Sequence, residues 1–304
     1  RAARHRARET RNFLTALAFL LPSLFIFTVF VFYPLAKSIY LSTYLTDPLG
    51  RPSVFVGLDI YYDLLTDPDF QESVWVSFKL ALLIVPSVIL LALALAVLAN
   101  QRVRGIGVFR TIFSSTIASS VAVSSLIWLV LLNPQIGLLS DLLKGIFPVV
   151  KKPGVLRDGG TAMWGVAVSS IWAGLGFTFV IVTAALQSVP RELYESAFVD
   201  GAGPWRRFTN VTLPLLSPTL LFVAVVMIAR AFQTYGEVDL LTEGGPNNAG
   251  RPTETIAYLI YGKSSKIRND IGIQSASAVL LFLLLLVVSF LQFRVLERRV
   301  HYGD

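Results

Sequence analysis

The sequence predicts an all-α integral membrane protein with six transmembrane helices, and three observations carry that prediction. Of its 304 residues, 54% are hydrophobic and only 15% are charged, whereas about a quarter are charged in a typical soluble domain. Six apolar runs each reach the roughly 20 residues needed to cross a hydrocarbon core. The basic residues between those runs are dense in some connections and dilute in others, the pattern that orients a polytopic chain.

The runs are Phe13–Tyr33, Val74–Ala99, Ile112–Leu132, Ala162–Leu186, Leu213–Tyr235 and Ile271–Phe293. Pro22, Pro86, Gly174 and Gly176 fall inside them, as membrane helices tolerate. The first run follows an arginine-rich start. It lacks a small-residue cleavage site after a short apolar core and is too long for a secretory leader, so it is expected to stay as an anchor.

Six spans put both termini on one side. That side then collects Arg1, Arg4, Arg6, Arg8, Arg11, Arg102, Arg104, Arg110, Arg191, Arg206, Arg207, Arg294, Arg298 and Arg299, all in short segments. The opposite side holds fewer basic residues in longer loops (34–73, 133–161 and 236–270), diluted by Asp59, Asp63, Asp67, Asp69 and Glu72. Excess positive charge marks the cytoplasmic face. Both termini and the 187–212 connection are therefore expected there, with 1–12 as a cytoplasmic segment resting on anionic headgroups. The net charge of +7 reflects this orientation rather than affinity for nucleic acid.

Composition also removes chemistries. There is no cysteine, and the only histidines are His5 and His301. Disulfides, thiol catalysis and cysteine or histidine metal clusters are excluded from the spans. No G-x-x-x-x-G-K-[ST] phosphate loop occurs, so the chain is expected neither to bind nor to hydrolyse ATP. A membrane-embedded enzyme would need a nucleophile with a base, or a carboxylate pair. A secondary transporter would need an ionisable relay, and only Lys79 and Arg230 lie within spans.

The segment ELYESAFVDGAGPWRRFTNVTLPLLSP, residues 192–218, mixes acid, base, Gly and Pro between two apolar runs. Residues 191–199 suit a short helix with Leu193, Ala197 and Phe198 on one side and Glu192 and Glu195 in the first turns. Gly201 supplies a backbone free to take positive φ, beside the turn residue Asp200. Pro204 suits the first position of a second short helix carrying Trp205, Arg206, Arg207 and Phe208. Pro214 and Pro218 then punctuate the start of the fifth span.

Here the chain resembles a family. Glu195-x-Ala197-x-x-Asp200-Gly201-Ala202, followed by Phe208-x-x-Val211-x-Leu213-Pro214-x-x-x-Pro218, resembles the EAA loop of bacterial ABC-importer permeases. Ser196 replaces the second Ala of that pattern and Val211 its Ile, both shape-preserving. Phe55-Val56-Gly57-Leu58-Asp59 and Leu241-Thr242-x-Gly244-Gly245-Pro246 resemble external segments of the binding-protein-dependent carbohydrate type. Asp200–Pro204 with Arg206-Arg207-Phe208, and Gln292-Phe293-Arg294-x-x-Glu297-x-x-Val300-x-Tyr302, resemble the glycerol-3-phosphate importers within it.

The resemblance implies the type I ABC-importer permease fold over 1–304 as one transmembrane permease domain, with a cytoplasmic coupling helix. It implies that Glu195, Ala197, Asp200, Gly201, Ala202, Arg206, Phe208, Leu213 and Pro214 couple to ATPase subunits. It further implies a second permease, two ATPase subunits carrying ATP and Mg, and an extracytoplasmic solute-binding protein facing Gly244, Gly245 and Pro246. The substrate it implies is glycerol-3-phosphate or a glycerophosphodiester, with a di- or oligosaccharide as the alternative.

The candidate substrate pathway comprises Arg230, Gln233, Tyr235, Trp172 and Gln274. Arg230 offers a planar fork to a phosphate or hydroxyl cluster, or else pairs with a carboxylate or snorkels. Trp172 beside Gly174 and Gly176 suits either helix packing or a sugar ring. Gln274, Ser275 and Ser277 suit either a polar solute or a helix bridge. Lys79 suits snorkelling, and Trp75 and Trp164 suit interface anchoring.

Overall fold

The computed structural model describes residues 2–47, 49–101, 103–133, 135, 137, 139, 154–245, 251–261 and 270–296. Five helices among them are long and apolar enough to cross a membrane: Thr15–Leu41, Pro68–Ala99, Ala162–Ser188, Pro204–Phe232 and Ile271–Arg294. A bent pair, Ile106–Ala118 with Val121–Leu131, makes a sixth if it is counted as one broken span. The chain divides into two compact units, one of Arg1–Asp63 with Asn269–Leu280, the other of Leu64–Arg268 with Leu281–Asp304.

The first unit opens with α1 (Ala2–Phe27), a π-helical turn (Thr28–Phe32) and α2 (Tyr33–Leu41). This span continues past Tyr33, where the apolar run stops, because Pro34 does not end it. Proline lacks an N–H and its ring collides with the carbonyl four residues back. The wider turn, closed by Tyr33 N–H donating to Thr28 O, lets the chain absorb the proline and remain helical. A hairpin of β1 (Tyr44–Thr46) and β2 (Pro52–Phe55) follows, antiparallel, with Tyr44 opposite Phe55. The hairpin touches the start of the last helix. Asp270 accepts N–H bonds from Gly272 (2.7 Å) and Ile273 (3.2 Å) and the Thr46 hydroxyl (3.0 Å). An acid at this end satisfies orphan amides and suits the helix dipole.

The second unit runs from the end of α3 (Asp59–Thr66) through α4 (Pro68–Ala99), α5 (Ile106–Ser114), α6 (Val121–Leu131), α7 (Ala162–Ser188), α8 (Arg191–Val199), α9 (Pro204–Arg207), α10 (Leu213–Phe232), α11 (Gly236–Leu241) and α12 (Ile256–Tyr261). The last helix, α13 (Ile271–Leu296), starts in the first unit and ends in this one. Asp67 caps α4 by accepting from Asp69 N–H at 2.7 Å, and Pro68 occupies the first turn. That cap extends the span six residues ahead of the apolar run. At the other end, Arg110 donates two bonds to Ala99 O (3.0 and 2.7 Å), covering a terminal carbonyl with a cation.

The core packs Ala92, Ala96 and Ala99 of α4 against Phe179, Val182 and Leu186 of α7 and Leu216 of α10, all buried. Small residues four apart let helices approach where lipid gives no hydrophobic drive. Gly174 works the same way: a Cβ there would lie 2.6 Å from Met227 Cε and 3.6 Å from Val88 Cγ2.

The third span departs from the continuous helix expected over Ile112–Leu132. It bends by 106°, with a 3₁₀ turn over Ser115–Ala118 and an extended Ser119. The hydroxyls of Ser114, Ser115 and Thr116 donate to the carbonyls of Thr111, Ile112 and Phe113 three residues back. Such back-bonding competes with the helical ladder and bends it. Ser120 Oγ then accepts from Val123 N–H (3.2 Å) and starts α6 afresh. Gly176 of α7 fits into the break, since a Cβ there would fall onto Thr116 Oγ1 and lie 2.6 Å from Ile117 N.

Candidate functional site

Two places in the second unit combine exposed or unpartnered chemistry. The first is the element from Val189 to Thr212. Its helix α8 ends in a Schellman turn. Gly201 N–H donates to Phe198 O (3.0 Å) and Ala202 N–H to Ala197 O (2.9 Å), with Gly201 at φ +75°. Only glycine takes that conformation without steric cost. The turn fixes the angle at which α8 leaves the next segment.

Beyond it, the second short helix is not separate from the fifth span. α9, a π turn over Phe208–Thr212 and α10 run on as one helix, Pro204–Phe232. The π turn, closed by Leu213 N–H on Phe208 O, lies directly before Leu213-Pro214, just as the first lies before Tyr33-Pro34. Pro218 further in frees the carbonyl of Pro214, and Ser217 Oγ donates to it at 2.6 Å. Trp205 and Arg206 therefore lie on the same helix as the fifth span.

The element's surface is apolar where a solvated connection would be polar. Phe198 is 68% exposed, Val199 84% and Trp205 75%. Trp205 packs on Phe208 (ring centroids 5.7 Å), and the Arg207 guanidinium sits 5.6 Å from the Phe198 ring. Glu195, Asp200, Gly201, Arg206 and Leu213 are exposed, while Ala197, Ala202, Phe208 and Pro214 are half-buried. On the inner side, Tyr194 and Thr212 share a 2.9 Å hydroxyl–hydroxyl bond. They line a groove of about 250 Å³ with Val97, Leu186 and Arg207.

The second place is a cavity of about 170 Å³ among α4, α6, α7, α10 and α11. Arg230, Gln233, Thr234, Glu237 and Ser170 supply its polar lining, and Ile84, Val121 and Met227 its apolar walls. Arg230 is exposed to the cavity, and its guanidinium makes no ion pair within 4 Å among the described residues. The fifth span stops at Phe232 rather than at Tyr235, and α11 restarts at Gly236. Thr255 Oγ1 fixes this break by donating to Thr234 O at 2.7 Å. The break brings Glu237, 9% exposed, onto the same cavity as Arg230. Burial pushes the Glu237 carboxyl up, and its own backbone N–H and Arg230 act in the opposite direction. Ser170 Oγ has no hydrogen-bond partner among the described residues.

Of the five residues expected on a substrate pathway, Arg230 and Gln233 line this cavity. Tyr235 stacks on Tyr258 (5.9 Å) and meets Tyr261 edge-on (6.2 Å). Trp172 is half-buried on α7. Gln274 lies in the first turn of α13, its N–H bonded to Asp270 O at 3.1 Å. Ser170 was not singled out by sequence, and Glu237 was noted only as lying close to Arg230 along the chain. Lys79 Nζ lies 5.4 Å from the Trp75 ring centroid.

The loop expected to face a binding protein carries Glu243, Gly244 and Gly245 in successive positive-φ conformations (50°, 87° and 123°). A Cβ on Gly244 would lie 2.8 Å from Tyr258 Cε1. Thr242 and Thr253 hydroxyls bond at 2.8 Å, and Thr253 N–H donates to Gly244 O at 3.2 Å. Pro246 lies outside the described residues, as do Arg1, Arg102, Glu297, Arg298, Arg299, Val300 and Tyr302.

Comparison with known proteins bears on these sites. Residues 2–302 match the family model of the binding-protein-dependent transport system inner membrane component. The sn-glycerol-3-phosphate transport system permease protein UgpA of Agrobacterium fabrum is 35% identical over 283 residues, covering 93% of this chain and 94% of that one. A bacterial ABC transporter involved in the import of the acidic polysaccharide alginate superposes with a TM-score of 0.78 at 24% identity, covering 97% of this chain and 99% of that one. The bacterial alginate ABC transporter in complex with an alginate pentasaccharide-bound periplasmic protein also gives 0.78, at 22% identity over 98% and 99%. These likenesses establish the type I permease fold for the chain.

Proposed function

Because the chain belongs to the family of binding-protein-dependent transport system inner membrane components, we propose that it is the permease subunit through which an ATP-driven importer moves sn-glycerol-3-phosphate or a glycerophosphodiester. It is a multi-pass protein of the inner membrane and a transport component. Residues 1–304 work as one permease domain with both termini in the cytoplasm. A second permease completes the pathway, two partner subunits bind ATP and Mg, and an extracytoplasmic binding protein delivers solute near Gly244 and Gly245.

The single observation that carries the coupling role is the exposed apolar surface of Phe198, Val199 and Trp205 on a helix whose exit is set by Gly201. Such a patch marks a protein contact. Its burial in a partner's cleft would let closure of that partner swing α8 and, through the continuous helix from Pro204, tilt the fifth span. Helix bundles switch between discrete packings when pushed in this way.

For substrate, the similarity to sn-glycerol-3-phosphate permeases agrees with one guanidinium and several hydrogen-bonding groups around a small cavity. The carboxylate and amide of Glu237 and Gln233 favour a second reading, a di- or oligosaccharide, since both accept from sugar hydroxyls. The test is reconstitution of the chain with its partner permease, ATPase subunits and binding protein in vesicles. ATP-dependent uptake of sn-glycerol-3-phosphate supports the proposal. Uptake by this chain with no ATPase present contradicts it, and uptake of oligosaccharide alone selects the second reading.

A further inference from the structure

Arg230 and Glu237 face one cavity with opposite formal charges, yet no ion pair closes between them within 4 Å among the described residues. Unpaired opposite charges around a shared space are unusual, because each is costly to hold without a partner. Glu237 is 9% exposed, and its carboxylate bonds no other residue among those described. Ser170, whose hydroxyl is likewise without a partner, lies beside them.

A ligand that bridges the gap would satisfy all three. Arg230 presents planar donors that match a phosphoryl group. An ionised Glu237 only accepts hydrogen bonds, so it repels phosphate and takes hydroxyl donors. The two ends of the cavity thus ask for the two ends of one molecule.

We infer that Glu237 is a specificity-determining residue that receives the vicinal hydroxyls of a polyol phosphate while Arg230 holds its phosphoryl group. This rests on the substrate reading proposed above and adds to it a direction for the bound ligand. Phosphates that lack the diol, such as propyl phosphate, leave Glu237 unpartnered and are discriminated against. Inorganic phosphate meets only the Arg230 end.

The experiment uses the full importer in detergent, without binding protein, and titrates sn-glycerol-3-phosphate and propyl phosphate. The wild-type complex prefers the diol-bearing ligand by roughly tenfold or more, the worth of a hydrogen bond to a charged group. Glu237→Ala removes the preference by weakening only sn-glycerol-3-phosphate, whereas Arg230→Ala weakens both ligands alike. Glu237→Gln keeps the volume and gives the same readout if the alanine variant does not assemble, with a smaller loss of preference. A melting temperature and gel-filtration profile near those of the wild type, read on each variant complex, separate this from a structural role. A preference that persists in both Glu237 variants, or a wild type that takes up sn-glycerol-3-phosphate in vesicles but does not prefer the diol in this titration, overturns the inference. A wild type that takes up no glycerophosphate in vesicles overturns the substrate reading instead.

Discussion

Replacing Gly201 by valine perturbs one backbone angle and little else. A Cβ at Gly201 would meet nothing within 4 Å, so no packing is lost and the effect comes from φ +75°. A side-chain-bearing residue in that conformation costs about 1–2 kcal/mol. The alternative is to open the turn and give up the bonds from Gly201 N–H and Ala202 N–H (3.0 and 2.9 Å), each worth about 1 kcal/mol. Either route shifts the turn's population by roughly 5–30-fold. The spans are untouched, so the chain still inserts and assembles, but uptake per ATP hydrolysed in reconstituted vesicles falls by about that factor. Gly201→Asn falls less, since Asn tolerates the left-handed region. Gly203→Ala is the control: its φ is −67° and a Cβ there is also free, so coupling is unchanged. Equal coupling for Gly201→Val and wild type, or equal losses at 201 and 203, would refute the reasoning.

Two further outcomes follow from the fold. Gly176→Ala forces a Cβ onto Thr116 Oγ1 and to 2.6 Å from Ile117 N, an overpacking of about 1–3 kcal/mol. It lowers the melting temperature of the purified importer, while Gly107→Ala, in open space, does not; matched melting curves would count against the packing at the broken span. Burial pushes the Glu254 carboxyl up, Asp69 and Glu72 add to that, and Arg251, bonded at 3.0 Å, acts against it. Folding therefore favours the protonated form, a contribution complete below the ordinary value of 4.5 and fading as pH rises through the raised value. Melts between pH 5 and 8 should decline more steeply for wild type than for Glu254→Gln, and parallel curves would contradict this.

The sequence made some features legible because they obey local rules. Gly201 after Asp200, and Pro204 at a helix start, are short-range signals, and the structure places a Schellman turn and a helix N-terminus there. The six apolar runs were equally direct, since crossing a bilayer imposes length and composition. The break in the third span was hidden because hydropathy averages over residues. It depends on which hydroxyls turn back onto the backbone and on Gly176 arriving from another helix. The continuation of helices through Pro34 and Pro214 was hidden too, because nothing in the sequence announces the π turns that precede them. Glu237 was visible as a neighbour of Arg230 along the chain but not as part of the same cavity wall. Only the break between Phe232 and Gly236, held by a threonine from a distant segment, brings the two charges to one space.

The central claim is that Phe198 and its neighbours are where a partner ATPase grips this chain. The sequence has no cysteine, so Phe198→Cys creates a single thiol in the permease at a position 68% exposed. Bifunctional thiol cross-linking of the assembled importer in membranes should join this position to the ATPase subunit, with a yield that changes between nucleotide-free and ATP-bound states. A cross-link to the extracytoplasmic binding protein, or none to the ATPase subunit in either state, would contradict the account.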